Sequence, residues 1–218
     1  MLERFITALH TEDFPLEEPV ATRERLKDHF PKNATRRMTQ LGLLVGAALE
    51  PLAPAEDDTI VYASGYAETH ALEGYLDSFP APSPTLFQTS IHPSAVQQAL
   101  IARQQAVREY FPLTGGAYLP AQALQVALLA DTPRTILCGG EERGTWLLAS
   151  GLSSPRSFAF ALALSVSPAG AIGRLALTAE SGPVHARLTL MAFFDLLLSR
   201  RSFDEAISPS LRLTLAWS

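Results

Sequence analysis

The spacing of apolar positions predicts strands alternating with helices along most of the chain. RFITAL (Arg4–Leu9) reads as a first strand, ended by the polar turn His10-Thr11-Glu12-Asp13. Residues 15–31 are rich in proline and charge and predict a loop with a short helix. Asn33 stands where it caps a helix over TRRMTQLGLLVGAALEPL (Thr35–Leu52), stopped by Pro51. After the turn PAEDD, the β-branched run Thr59–Ser64 predicts a strand. Leu72, Tyr75, Leu76 and Phe79 then recur at helical spacing within Ala67–Phe79. Pro80–Pro84 is a rigid connector, and TLFQTS leads through Ile91-His92-Pro93-Ser94 into the helix AVQQALIARQQ. Ala106–Phe111 predicts a strand, and a helix-like apolar run comes after the turn Thr114-Gly115-Gly116-Ala117. Pro133 ends that helix, and TILCGG (Thr135–Gly140) reads as a short buried strand. Phe158–Ser167 and Ile172–Ala179 predict paired strands around Pro168-Ala169-Gly170. An amphipathic helix, ARLTLMAFFDLLLSRR, and a last strand, LRLTLAW, complete the pattern.

This order favours one layered α/β domain with a mixed sheet. At 218 residues and 47% hydrophobic, the chain buries a full core. A formal charge of -5 argues against nucleic acid, which selects for basic patches. The lone Cys138 excludes an internal disulfide and fits a reducing compartment. No run of about 18 uninterrupted apolar residues predicts a membrane span, and MLERFITALHTEDF has no signal-peptide core. A cytoplasmic protein is the expectation.

Few residues announce chemistry. His10, His29, His70, His92 and His185 are scattered, and no pair has metal-ligand spacing. No cofactor is expected, since neither GxxxxGK[ST] nor GxGxxG occurs; Gly115-Gly116 and Gly139-Gly140 read first as turn signals. Cys138 lies in a short apolar run and reads as a buried small hydrophobe with a raised pKa. Glu141-Glu142, directly after the second glycine pair, further disfavour a thiolate nearby. His92 precedes Pro93 at the start of a helix, a capping position before it is a general base. Arg36 and Arg37 lead a helix, where its positive dipole end disfavours them. They are therefore candidates for holding an acidic partner, beside the plainer reading of solvated surface.

The stretch EYFPLTGGAYLPAQALQVALLA (Glu109–Ala130) passes from strand to helix through a glycine-marked turn, a place where enzymes set a nucleophile. Here the turn offers Ala117 and Tyr118. Several segments in order, over roughly residues 30–165, resemble the β-ketoacyl synthase-like N-terminal domain family of the thiolase superfamily. The branch they resemble is that of the short chain-length-factor-like proteins of bacterial aryl-polyene pathways. TRRMTQLGLLVGAALEPL is similar to the branch's arginine-led helix, and IVYASGYAETHALEGYLDSF to its strand, Ser-x-x-Gly-Glu and helix. In SPTLFQTSIHPSAVQQALI, Ser83, Pro84, Thr85, Phe87, Ser90 and His92 match a family signature, with Pro93 where asparagine is usual. The glycine-marked turn and the later ILCGGEE are similar to the run of elbow, helix, strand and Gly-Gly-Val-Glu.

Matching the family's downstream Ala-Leu to Ala123-Leu124 puts the nucleophilic cysteine position at Ala117, or at Gly116 with a one-residue slip. Neither attacks a thioester. The two histidines of a working ketosynthase come from a C-terminal half, and His185 has no matching context. The resemblance thus implies a layered thiolase-like half-fold (α-β-α) with a mixed, mostly five-stranded sheet, in one domain lacking that second half. It implies a non-catalytic subunit paired with a catalytic ketosynthase, or with itself, and served indirectly by acyl carrier protein. The acyl-pocket or interface candidates are Tyr110, Phe111, Leu113, Thr114, Tyr118, Leu119, Ser90 and His92. Two other readings stay open. One is a stand-alone acyl-thioester transferase or hydrolase using Ser90, His92 or Cys138. The other is a homodimeric pseudo-enzyme scaffold joined through the strand at Ala106–Phe111.

Overall fold

The computed structural model describes residues 1–91, 94–180 and 188–218. Strand β1 (Leu2–Asp13) leads to helix α1 (Pro19–Leu26) and two short 3-10 turns, then α2 (Gln40–Leu49) and β2 (Thr59–Ala63). Helices α3 (Thr69–Asp77), α4 (Pro84–Ser90) and α5 (Ser94–Arg103) precede β3 (Glu109–Leu113), α6 (Leu119–Leu129) and β4 (Arg134–Glu141). A short α7 (Trp146–Ala149) leads to β5 (Phe158–Ser165), β6 (Gly173–Ala179), α8 (Leu190–Leu198), β7 (Phe203–Ser208) and β8 (Leu211–Trp217).

The strands form one sheet in the order β3-β2-β4-β5-β1-β6-β8-β7. The pairs β2–β3 and β2–β4 are parallel, and the pairs from β4–β5 through β7–β8 are antiparallel, so the sheet is mixed. It has eight strands, where the resemblance implies about five. The expected hairpin of the strands at 158 and 172 does not form: β1 lies between β5 and β6 and pairs with both. The polar stretch His10–Asp13, expected as a turn, continues β1 against β5.

Alternation along each strand sorts the core into two layers. On β5, Phe158, Phe160, Leu162 and Leu164 face one side with Val61, Leu137, α6 and α8. Ala159, Ala161 and Ala163 face the other with Ile60, Tyr62, Ile136, Cys138, α2 and α5. The large side chains stack on α8, where Phe158 lies over Phe194 at 4.6 Å and Phe160 meets Phe193 edge-on at 5.6 Å. The alanines let α2, buried along its whole length, come close on the opposite face. The result is the expected α-β-α layering.

Local contacts fix the ends of two helices. Thr39, rather than Asn33, caps α2 by accepting from the Gly42 amide, and residues Ala34–Arg37 form a separate 3-10 turn. Arg4, buried in β1, donates to the carbonyls of Thr132 (2.8 Å) and Ala130, tying down the C-terminal end of α6. A cation there complements the negative end of the helix dipole.

Candidate functional site

The turn between β3 and α6 is built as the sequence predicts. β3 ends at Leu113, the Leu119 amide donates to the Gly116 carbonyl at 3.3 Å, and Pro120 sits in the first turn of α6. The turn borders a cavity of about 490 Å³ whose wall includes Gly115, Gly116 and Ala117. Gly65 and Tyr66 line it from the loop after β2, Glu141 from the end of β4, and Thr189, Leu190 and Met191 from the start of α8. A volume of this order suits a small-molecule ligand or part of an acyl chain.

The glycines of the turn are not demanded by backbone strain. Neither Gly115 nor Gly116 has positive φ, and a Cβ on Gly116 would meet nothing within 4 Å. Gly139 and Gly140 lie inside β4, as the buried-strand reading of Thr135–Gly140 expects, and not in the turn that a glycine pair signals. A Cβ on Gly139 would come within 2.5 Å of the Ala63 carbonyl, so the close approach of β2 requires glycine there.

Among the described residues, Glu141 is the charged side chain that lines the cavity. It is 4% exposed and accepts from the Gly65 amide (2.6 Å), the Ser64 hydroxyl (3.0 Å) and the Tyr66 amide (3.1 Å). Burial pushes its carboxyl up to about 7 against the pull of those three donors. Two further buried carboxyls stand behind it. Glu142 accepts from the amides of His70 (2.6 Å) and Leu41 (2.9 Å) and is pushed up to about 7, chiefly by burial. Glu68 is pushed up to about 8, first by burial and then by the charge of Glu142. Both of its carboxylate oxygens are buried without a hydrogen bond of good geometry. Sequence reasoning marks Glu141-Glu142 as neighbours of Cys138 and as the end of the ILCGGEE match, with no site role; their inward placement depends on the loop at 64–70 folding over them.

Besides the Tyr66 phenol, two aliphatic hydroxyls among the described residues line the cavity, Ser154 and Thr189. The Ser154 hydroxyl donates to the Arg156 carbonyl at 2.6 Å, and that of Thr189 accepts from the Ala192 amide at 3.1 Å, capping α8. Both are occupied in structural roles. The Glu141 carboxylate likewise serves the backbone of the loop after β2. Cys138 faces the opposite layer, against α2 and α5, fully buried, and burial drives its thiol far above the ordinary range.

The candidates from sequence do not all gather at the cavity. Leu119 lines the cavity from the core, and Leu113 and Tyr118 pack against the same core cluster. Tyr110 packs against the opposite cluster. Phe111 is 40% exposed, and Thr114 is exposed beside it. Ser90 ends α4, its hydroxyl donating to the Phe87 carbonyl at 2.8 Å, and it does not line the cavity. His92 and His185 lie outside the described residues.

β3 is the terminal strand of the sheet. Its Leu113 carbonyl accepts from Ser64, and the Glu109 amide donates to Asp58, so alternate residues 109, 111 and 113 turn their backbone groups to the β2 side. Tyr110 and Pro112 direct theirs away from it. Pro112, lacking an N–H, is tolerated at this outer edge.

No protein-family model matches the chain, and no curated protein matches it in sequence. Solved structures do match. A chain of the ketosynthase (ApeO)–chain length factor (ApeC) complex from Xenorhabdus doucetiae aligns at 18% identity, covering 99% of this chain and 100% of that one, with a TM-score of 0.70. The ishigamide ketosynthase/chain length factor aligns at 12% identity over 71% of this chain and 52% of its own, with a TM-score of 0.54. A β-ketoacyl synthase from Burkholderia phymatum aligns at 10% identity over 86% and 67%, with a TM-score of 0.57. With its α-β-α layers, mixed sheet and strand-turn-helix elbow, the chain has the ketosynthase-like form of the thiolase fold.

Proposed function

We propose that the chain is a non-catalytic, chain-length-factor-like domain that pairs with a catalytic ketosynthase and shapes the pocket for an acyl chain delivered on acyl carrier protein. The observation that carries this reading is the elbow: a strand-turn-helix opening on a cavity, whose turn offers Gly116 and Ala117, the positions that the sequence resemblance matches to a ketosynthase cysteine. An elbow of this kind keeps its geometry without a reacting group, so its use is in shape rather than in attack. The edge position of β3 and the exposure of Phe111 beside the turn support pairing at that side. The likeness to the ApeO–ApeC complex supports a heterodimer and, by the same analogy, a place in aryl-polyene-type chain elongation.

Co-expression with each ketosynthase encoded beside its gene, then size-exclusion chromatography, tests the reading. Co-elution at one-to-one stoichiometry is expected. A chain that stays alone with all of them refutes it. A stable homodimer disrupted by Phe111→Asp would favour the scaffold reading instead.

A further inference from the structure

A second cleft, away from the elbow, lies between the Ala34–Arg37 turn and the α3–α4 hairpin. Its volume is about 620 Å³, and Arg23, Arg36, Arg37 and His70 line it together with Met38, Ala71 and Leu86. Three arginines border this one cleft in a chain whose formal charge is -5. Like charges brought together raise the local potential and favour a bound anion.

The cations differ in how they are held. Arg23 donates through Nε to the Thr35 carbonyl (3.1 Å) and through Nη2 to the Met38 carbonyl (3.4 Å), so it fixes the turn that carries the other two. Arg36 and Arg37 are exposed, and their side chains form no hydrogen bond or ion pair with the described residues. Elsewhere Arg25, Arg134, Arg156 and Arg212 are each committed to carboxylates. Each guanidinium presents five N–H donors in a planar fork that matches phosphate oxygens.

His70 adds a titratable donor. Its Nδ1 lies 3.4 Å from Oε2 of Glu73, a carboxylate only 4% exposed. Glu73 is itself held by the amides of Thr145 (2.7 Å) and Leu147 (3.0 Å). This pairing orients the ring and leaves Nε2 as the second ring nitrogen. Burial lowers the pKa of His70, and Arg143 pushes the same way, while Glu73 and Glu18 oppose them. An anion on Arg36 and Arg37 adds a charge that favours the protonated ring.

We propose that this cleft binds a small phosphorylated molecule, with Arg36 and Arg37 taking the phosphate, His70 joining them as the imidazolium, and Met38 and Leu86 packing on the organic body. The site is independent of the elbow and of the proposed pairing. The test uses the full chain with two probes, inorganic pyrophosphate and adenosine 3′,5′-bisphosphate, titrated by calorimetry while His70 is tracked by NMR. Both probes are expected to bind at pH 6.5, the nucleotide about tenfold more tightly because it also meets the apolar wall. Arg36→Ala with Arg37→Ala is expected to weaken both by at least about tenfold, since two charge-assisted contacts are lost. These residues are exposed, and an unchanged melting temperature confirms that the variant folds. His70→Asn is expected to retain binding while flattening its decline between pH 6 and pH 8. Absence of binding to the native chain overturns the proposal. So does undiminished binding by the double arginine variant, or equal affinity for the two probes.

Discussion

Glu68→Gln is expected to make the protein more stable at pH 8 and to change it little at pH 5. Glu68 is 1% exposed, and its carboxyl is raised from 4.5 to about 8, first by burial and then by the neighbouring charge of Glu142. The folded state therefore holds this proton more tightly than the unfolded chain. Between 4.5 and about 8 the folded state binds more protons, so stability falls as pH rises through that window. Below 4.5 the group is neutral in both states and its contribution is fully present. One pKa unit corresponds to about 1.4 kcal/mol, so Glu68 alone removes roughly 2–3 kcal/mol between pH 5 and pH 7. That is a large fraction of the roughly 5–15 kcal/mol that holds a domain folded. Glutamine has nearly the same shape and does not ionise, so it removes the slope. Urea unfolding of both proteins, from pH 5 to pH 8.5, measures the difference directly. Glu141 and Glu142, each raised to about 7, titrate in both proteins and cancel to first order. Parallel stability curves for native and variant would refute the reasoning, as would a variant that loses stability at pH 8.

The packing sets three further outcomes. Gly116→Ala is expected to be neutral or stabilising by up to about 1 kcal/mol, because its Cβ meets open space at ordinary φ; Gly139→Ala, whose Cβ would press on the Ala63 carbonyl, is expected to cost more than about 2 kcal/mol. Thermal denaturation of the pair ranks them. Phe160→Ala is expected to cost about 3–5 kcal/mol in urea unfolding, since the ring is fully buried and packs edge-on against Phe193. Cys138 is expected to resist iodoacetamide in the folded protein at pH 8 and to react on unfolding, as read by mass spectrometry.

The parts of this fold that the sequence discloses are those whose burial is decided locally. α2 is visible because its apolar run is buried all round, and β4 because two packed faces demand a continuous apolar strand. α4 reads only as a lead-in, because none of its residues is buried and no apolar period marks it. β7, FDEAIS, is an outer strand, where acids cost little. The far half of β1 pairs only with β5, since β6 reaches no further than Ile6, so polar residues at 10–13 fit a strand as readily as a turn. The insertion of β1 between β5 and β6 is a long-range choice that no local pattern records. At the elbow, the strand, the glycine-marked turn and the helix after it are readable residue by residue. The inward pointing of Glu68, Glu141 and Glu142 is not, because acids after a glycine pair look like surface until the loop at 64–70 closes over them. Nor is the cleft of Arg36, Arg37 and His70, which brings together two segments more than thirty residues apart.

If the elbow and the edge beside it serve a partner, that partner should bind at β3. The most direct test is sedimentation of the purified chain mixed with any ketosynthase found encoded near its gene, with Phe111→Asp measured in parallel. Phe111 is 40% exposed on the terminal strand, so the substitution leaves the core intact and places a charge at the expected contact. A one-to-one complex for the native chain, weakened at least about tenfold by Phe111→Asp, is the predicted result. No complex, or one indifferent to Phe111, would contradict the account.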